Sequence, residues 1–297
     1  MPGDYQTQFS VYDRLFDPAV SEEFFLSIRI EPDGLSFSVY SPAHGRYIGL
    51  ESLTFPDSVR IKDGPMAGIL YSDYLSRLLT NHPVLTNNYR KVCAIFHSRF
   101  FTLVPGPLFN DDLAGDYLQF VHKIGADSRI LIQNLRSADI RLVYGVYQGL
   151  IQEMESRFPD ARKVHETGAL LDSLLPRFKR SEAPELIFVN IEYGSAGITV
   201  LRGGLPVFCN AFECRTHEDT VYFIMFVMEQ LALNPEKTPL YLLGKAGKED
   251  ALFRLLAKYV KKVDLLEQSG PQVGGYVTVQ SETHRYYTLL NPSLCEL

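Results

Sequence analysis

Two stretches of this chain, opening near residues 24 and 186, spell the same structural grammar, and any fold must accommodate both copies. In the first, residues 24–30 are aromatic and β-branched and then alternate, which predicts a strand. Pro32, Asp33 and Gly34 form a turn, and Leu35, Phe37 and Val39 alternate with Ser36, Ser38 and Tyr40 in a second strand. A third strand is expected over 47–55, a helix over 67–79, strands over 91–96 and 100–104, and a helix over 112–124. In the second copy, strands are expected over 186–192, 197–201 and 207–214, then helix 218–232, strand 240–243 and helix 249–259. The Gly203-Gly204 pair suits a type I′ hairpin turn, which needs two residues at positive φ.

The copies align without a gap. Ile28, Ile30, Glu31, Phe37, Ser38 and Val39 fall opposite Val189, Ile191, Glu192, Ile198, Thr199 and Val200. A duplicated unit of this kind decides the fold before any single residue does. Between the copies lie a predicted strand (140–146), a helix (147–157), an extended stretch (161–167) and a helix (170–178). The polar run Lys179-Arg180-Ser181-Glu182 ahead of Pro184 places the division at residues 1–183 and 184–297. The expected class is α/β: two duplicated lobes, each opening with an antiparallel hairpin on a mixed sheet.

Composition narrows the function classes. The 297 residues are 46% hydrophobic and 22% charged, enough for a real core. A net charge of −6 argues against a broad electrostatic grip on nucleic acid. Cys93, Cys209, Cys214 and Cys295 form no CxxC pair, and allow two disulfides without demanding them. Residues 1–17 carry Asp4, Asp13 and Asp17 and no apolar signal core. The most apolar run, 221–227, is far short of the ~20 residues a bilayer span needs and reads as a buried helix. A cytoplasmic protein with reduced thiols, not inserted in a membrane, is the expectation.

The segment 187–204, Ile-Phe-Val-Asn-Ile-Glu-Tyr-Gly-Ser-Ala-Gly-Ile-Thr-Val-Leu-Arg-Gly-Gly, resembles the start of the second lobe in the actin-like ATPase superfamily. The likeness is to the actin-like proteins of type IV pilus assembly and to type II secretion L proteins. Leu240-Tyr241-Leu242-Leu243-Gly244-Lys245-Ala246-Gly247 resembles their adenosine-contacting strand-glycine-helix segment. Leu103-Val104-Pro105 ahead of Leu108-Phe109, together with the Leu294-Cys295-Glu296-Leu297 end, resembles an uncharacterised bacterial family assigned the same ribonuclease H-like, actin-like fold.

The resemblance implies ATP with Mg²⁺ as cofactor, an Asp at the end of each lobe's first strand to hold the metal and orient water, and hairpin amides around the phosphates. In the gap-free register those Asp positions fall on Arg29 and Asn190, and the glycine two residues on becomes Glu192. An amide cannot act as a base, and an arginine repels a metal ion. A shift of two residues restores acids at Glu31 and Glu192, and alternation alone does not choose between the registers. Gly244, Lys245 and Gly247, before an expected helix, are the remaining anion-binding candidates. The cleft candidates are therefore Glu31, Asn190, Glu192, Gly244, Lys245 and Gly247, with no residue assigned to catalysis or metal binding.

Elsewhere GxSxG, HExxH and GxGxxG are absent from the sequence. Cys93 and His97 read as core and edge residues without a third partner, and His165, Glu166 and His284 as isolated, exposed-type residues. Glu31 and Glu192 have the simpler reading of strand-end groups in solvent. Seventeen Tyr and nineteen Phe leave room for an aromatic partner surface. The expected role is a degenerate, non-catalytic actin-like protein that docks an unidentified protein partner. The alternative is an active Mg²⁺-dependent ATPase or phosphotransferase, which requires Glu31 and Glu192 to face each other within metal-bridging reach.

Overall fold

A computed structural model describes residues 5–59 and 65–291, with side chains of 65–67 excepted. The strands in chain order are β1 (Gln6–Tyr12), β2 (Phe25–Glu31), β3 (Gly34–Ser41), β4 (Arg46–Thr54), β5 (Lys91–Phe96), β6 (Phe101–Pro105) and β7 (Ser128–Asn134). There follow β8 (Ile140–Tyr147), β9 (Arg162–His165), β10 (Glu185–Glu192), β11 (Ser195–Arg202), β12 (Leu205–Glu213), β13 (Leu240–Gly244) and β14 (Val263–Leu265). The helices are α1 (Pro65–Asn81), α2 (Ala114–Val121), α3 (Gln148–Arg157), α4 (Glu166–Phe178), α5 (His217–Gln230), α6 (Ala251–Leu256) and α7 (Tyr276–Gln280).

The duplication is visible in the strand order. One sheet runs β1-β4-β3-β2-β5-β9, the other β12-β11-β10-β13-β14. Apart from the added edge strand β1, each position in one sheet has its counterpart in the other. Both opening hairpins close on a two-residue turn, with Glu31 opposite Gly34 and Glu192 opposite Ser195. In both, the opening strand pairs in parallel with the next central strand, β2 with β5 and β10 with β13. The Gly203-Gly204 turn has both residues at positive φ, +58° and +77°, as the type I′ reading requires.

Burial explains the strand composition. Every residue of β2 is buried, and β10 is buried at six of its eight positions, as central strands covered on both faces should be. Ile28, Ile30, Phe37 and Val39 pack with α1 and α3 residues such as Leu75 and Ile151. Ile187, Val189, Ile198 and Val200 pack with Val221, Ile224 and Leu252 from α5 and α6. The apolar run 221–227 is thus part of a helix on the second sheet, capped by a Thr216–Asp219 capping box. Among the described residues no helix is long and apolar enough to cross a membrane.

Three features tie the lobes together or extend them. A third sheet, β6-β8-β7, sits beside the first lobe with α2 packed on it. Helix α4 touches both halves, since Ala169 packs with Phe25 and Ile95 while Leu170, Leu174 and Leu175 pack with Leu186 and Phe188. The chain then returns: Val277, Tyr286, Leu289 and Leu290 pack against Phe25, Tyr47 and Leu50 of the first sheet. The end segment 294–297 lies outside the described residues, as does Cys295; Cys93, Cys209 and Cys214 are free thiols.

The structure corrects several boundaries. The helix expected over 112–124 is a 3₁₀ turn followed by α2, ending at Val121. The helix expected over 249–259 shrinks to the six residues of α6. Leu289 is fully buried in the seam between the end of the chain and the first sheet. Leu289→Ala should therefore cost about 2–5 kcal/mol, read as a shifted urea midpoint with an unchanged slope.

Candidate functional site

The two hairpins meet at their turn ends, and the side chains between them form one buried ionic cluster. Arg29 and Glu31 lie two apart on β2 and so share a face. Ser36 sits directly opposite Arg29 on β3, and its hydroxyl donates to Glu31 Oε1 at 2.6 Å. Arg29 sends Nε and Nη2 to that same Oε1, at 3.1 and 2.9 Å. Its Nη1 donates to Glu166 Oε1 at 3.3 Å and lies 3.6 Å from Glu192 Oε1. Thr288, from the returning segment, accepts from the same Nη1 at 3.5 Å. Arg29, Glu31, Glu166 and Glu192 are all at most 4% exposed.

A pseudo-symmetric pair of bridges flanks this centre. His97 follows β5 and its N–H donates to Ile30 O, while Lys245 follows β13 and its N–H donates to Ile191 O. The two therefore occupy equivalent places in the duplicated sheets. Each reaches across to the other lobe's hairpin. Lys245 Nζ lies 3.1 Å from Glu31 Oε2 and also binds Asp33 Oδ1 in the first turn. His97 Nε2 lies 3.2 Å from Ser195 Oγ at the second turn, while its Nδ1 lies 2.8 Å from Glu166 Oε2.

Burial and charge set the protonation states. For Arg29, burial disfavours the charge, but Glu31, Glu192 and Glu166 outweigh it and hold the guanidinium firmly protonated. Burial opposes the Lys245 charge as well, and Glu31, Glu192 and Asp33 overcome it. Burial would raise Glu31, yet Arg29, then Lys245 and the Ser36 hydroxyl, bring it down to about 2. Glu166 is lowered against its own burial by the His97 hydrogen bond and by Arg29. His97 is raised because the Glu166 contact exceeds the cost of burial. Glu192 goes the other way, to about 8: burial dominates, Arg29 offsets part of it, and Glu166 and Glu31 add repulsion. Neither Glu192 oxygen has a hydrogen-bond partner among the described residues.

Of the residues picked from sequence, Glu31, Glu192 and Lys245 come together in this cluster. Asn190 is buried two residues before Glu192 on β10, paired with Gly197 on β11 and Leu243 on β13, and its Oδ1 has no hydrogen-bond partner among the described residues. Gly244 closes β13 at φ +76°; an added Cβ would stand 2.3 Å from Ile191 O and 2.6 Å from Asn190 Oδ1. Only glycine fits there. Gly247 lies in the loop before α6, where an added Cβ would meet Asp250 Oδ2 at 3.3 Å. The helix after this loop, α6, has six residues, and the Lys245 ammonium is paired with Asp33. Lys248 pairs at the surface with Asp264, at 2.8 Å.

Two more expectations change. Glu31 and Glu192 are not strand-end groups in solvent but buried ones. His165, Glu166 and His284 are buried too, at 1%, 3% and 2% exposure. His165 caps α4 by accepting from Thr167 N–H, and burial lowers it to about 4, leaving it neutral at pH 7. His284 is held between Glu267 and Ala246 O. His97 and Glu166 were missed as cleft residues, and the signal for His97 lay in its position after β5, matching that of Lys245 after β13.

Mg²⁺ does not fit this cluster. Glu31 and Glu192 both approach the Arg29 guanidinium, which stands between them. Any divalent ion there would displace or abut a buried cation, a repulsion that low-dielectric surroundings magnify. Among the described residues no group of three or more His, Cys, Asp or Glu side chains could hold a metal.

The fold and paired hairpins define an actin-like ATPase fold. A Bacteroides thetaiotaomicron protein described as having that fold and unknown function superposes with TM-score 0.74 at 22% identity, covering 85% of this chain and 94% of its own. The PilM–PilN type IV pilus biogenesis complex matches at TM-score 0.60 and 14% identity, over 89% and 96%. Residues 13–263 match the family described as protein of unknown function DUF3822, and the chain belongs to that family. A comparison with curated proteins finds no match.

Two outcomes follow from the cluster. Arg29→Met takes the guanidinium partner from the buried Glu31 and Glu166 and should cost about 3–5 kcal/mol at pH 7, measured by chemical denaturation. The depressed Glu31 contributes stability that is fully present above its ordinary value of 4.5 and fades as pH falls toward about 2. Stability should therefore drop through that acid window, and Glu31→Gln should flatten the drop.

Proposed function

We propose that the protein is a degenerate actin-like module, divided at 1–183 and 184–297, that acts as a cytoplasmic scaffold or docking protein without hydrolysing nucleotide. One observation carries the reading: the space between the hairpins is filled by the chain's own cations. Arg29 and Lys245 neutralise the acids that would otherwise hold Mg²⁺, and Lys245 bonds the first hairpin's turn. A phosphate chain entering there would have to break buried ion pairs, each costly to disrupt.

Docking of a protein partner is supported by the similarity to PilM, whose solved form is a complex with PilN. It is also consistent with aromatic and aliphatic groups left at the surface, among them Phe120 at 91% and Tyr222 at 63% exposure. The net charge of −6 disfavours nucleic acid as that partner.

The test is titration calorimetry with ATP and Mg²⁺ beside a phosphate-release assay on the full chain. No turnover above buffer is expected, whether or not a weak binding heat is seen. Turnover that disappears in Glu31→Gln or Glu192→Gln would establish the ATPase alternative instead.

A further inference from the structure

The cluster between the hairpins holds four acids, Glu31, Asp33, Glu166 and Glu192, against Arg29, Lys245 and His97. Three of the acids have close ionic or hydrogen-bonded partners. Glu192 does not: its oxygens make no hydrogen bond, and Arg29 Nη1 stands 3.6 Å off. With Glu192 neutral and His97 charged, the cluster balances at three charges of each sign. With Glu192 ionised it carries a surplus anion sealed from water.

The charges around Glu192 come from several elements, while β11, paired beside it, faces it with the uncharged Ser195. Strand β2 supplies Arg29 and Glu31, its turn supplies Asp33, and the start of α4 supplies Glu166. The residues after β5 and β13 supply His97 and Lys245. The bridges these groups make join the lobes in both directions, Lys245 to Asp33 and His97 to Ser195.

We propose that these reciprocal bridges clamp the two lobes shut, and that ionisation of Glu192 releases the clamp and opens the cleft. A buried carboxylate without hydrogen bonds is strongly disfavoured, and separating the hairpins rehydrates it. The position of its titration, about pH 8, puts release on the mildly alkaline side. Opening would expose the facing hairpin turns, a two-state element that a partner or ligand could bias. The proposal stands independently of whether the cleft takes nucleotide.

Small-angle scattering of the full chain between pH 7 and 9.5 tests it. The wild type should show a rise in radius of gyration centred near pH 8, and Glu192→Gln should stay compact throughout. Lys245→Gln, which removes one bridge at a partly exposed position, should already be expanded at pH 7. If the wild type does not expand, or if Glu192→Gln expands over the same range, the proposal fails; the second result would assign the titration to His97. Should Glu192→Gln fold poorly, hydrogen exchange in the wild type decides. Protection of the turn amides of Asp33, Tyr193 and Gly194, corrected for intrinsic rate, must fall through pH 8 while that of 35–41 in β3 and 196–202 in β11 holds; uniform loss overturns the proposal.

Discussion

The guanidinium of Arg29 is the constraint around which the interior is arranged. A buried arginine is tolerated only where carboxylates compensate it, and here they arrive from β2 and the start of α4, with the Glu192 carboxyl at the end of β10 standing beside them. Each of those elements is fixed by its own apolar packing, so the lobes must approach at one distance and angle for the charges to meet. Arg29 thus couples the geometry of two hydrophobic cores. It also occupies the point on which the two strand-end acids converge. Removing it would therefore disturb the relation between the lobes before it disturbed either lobe.

Much of the architecture was legible because hairpins write themselves locally. Alternation at Leu35, Phe37 and Val39, and the Gly203-Gly204 pair, need only neighbours to be read, and both matched the structure. What escaped was short, or exposed on both faces. Edge strand β1 has a largely exposed face pattern, β14 spans three residues, and α7 spans five. The expected helix after Gly247 was overlong because an apolar periodic run continues past the point where Ala257 ends α6.

The candidate site was half legible. Glu31 and Glu192 were picked because the duplicated pattern pointed at strand ends, and Lys245 because it stands in a glycine-flanked loop before an expected helix. Their partners were not, because Glu166 is brought in by a helix far along the chain, and His97 looks like an ordinary residue beside a strand. Sequence also gave no measure of burial: an acid at a strand end faces solvent unless another lobe covers it, and that cover is a tertiary fact. Comparing the two copies element by element would have paired His97 with Lys245, since each donates its backbone N–H to the strand next door.

The returning segment has a mechanical meaning beyond its packing. The backbone crosses between the halves twice, once after α4 and again before Tyr276–Gln280 docks on the first sheet. Two covalent crossings act like the paired pins of a door. They suppress twisting and sliding, and leave rotation about a single line as the soft motion, the geometry of hinge closure. Thr288 lies in the returned segment beyond that second crossing and touches Arg29. Any swing of one half against the other is thereby registered directly at the guanidinium, so the pivot and the charge cluster form a single mechanical unit.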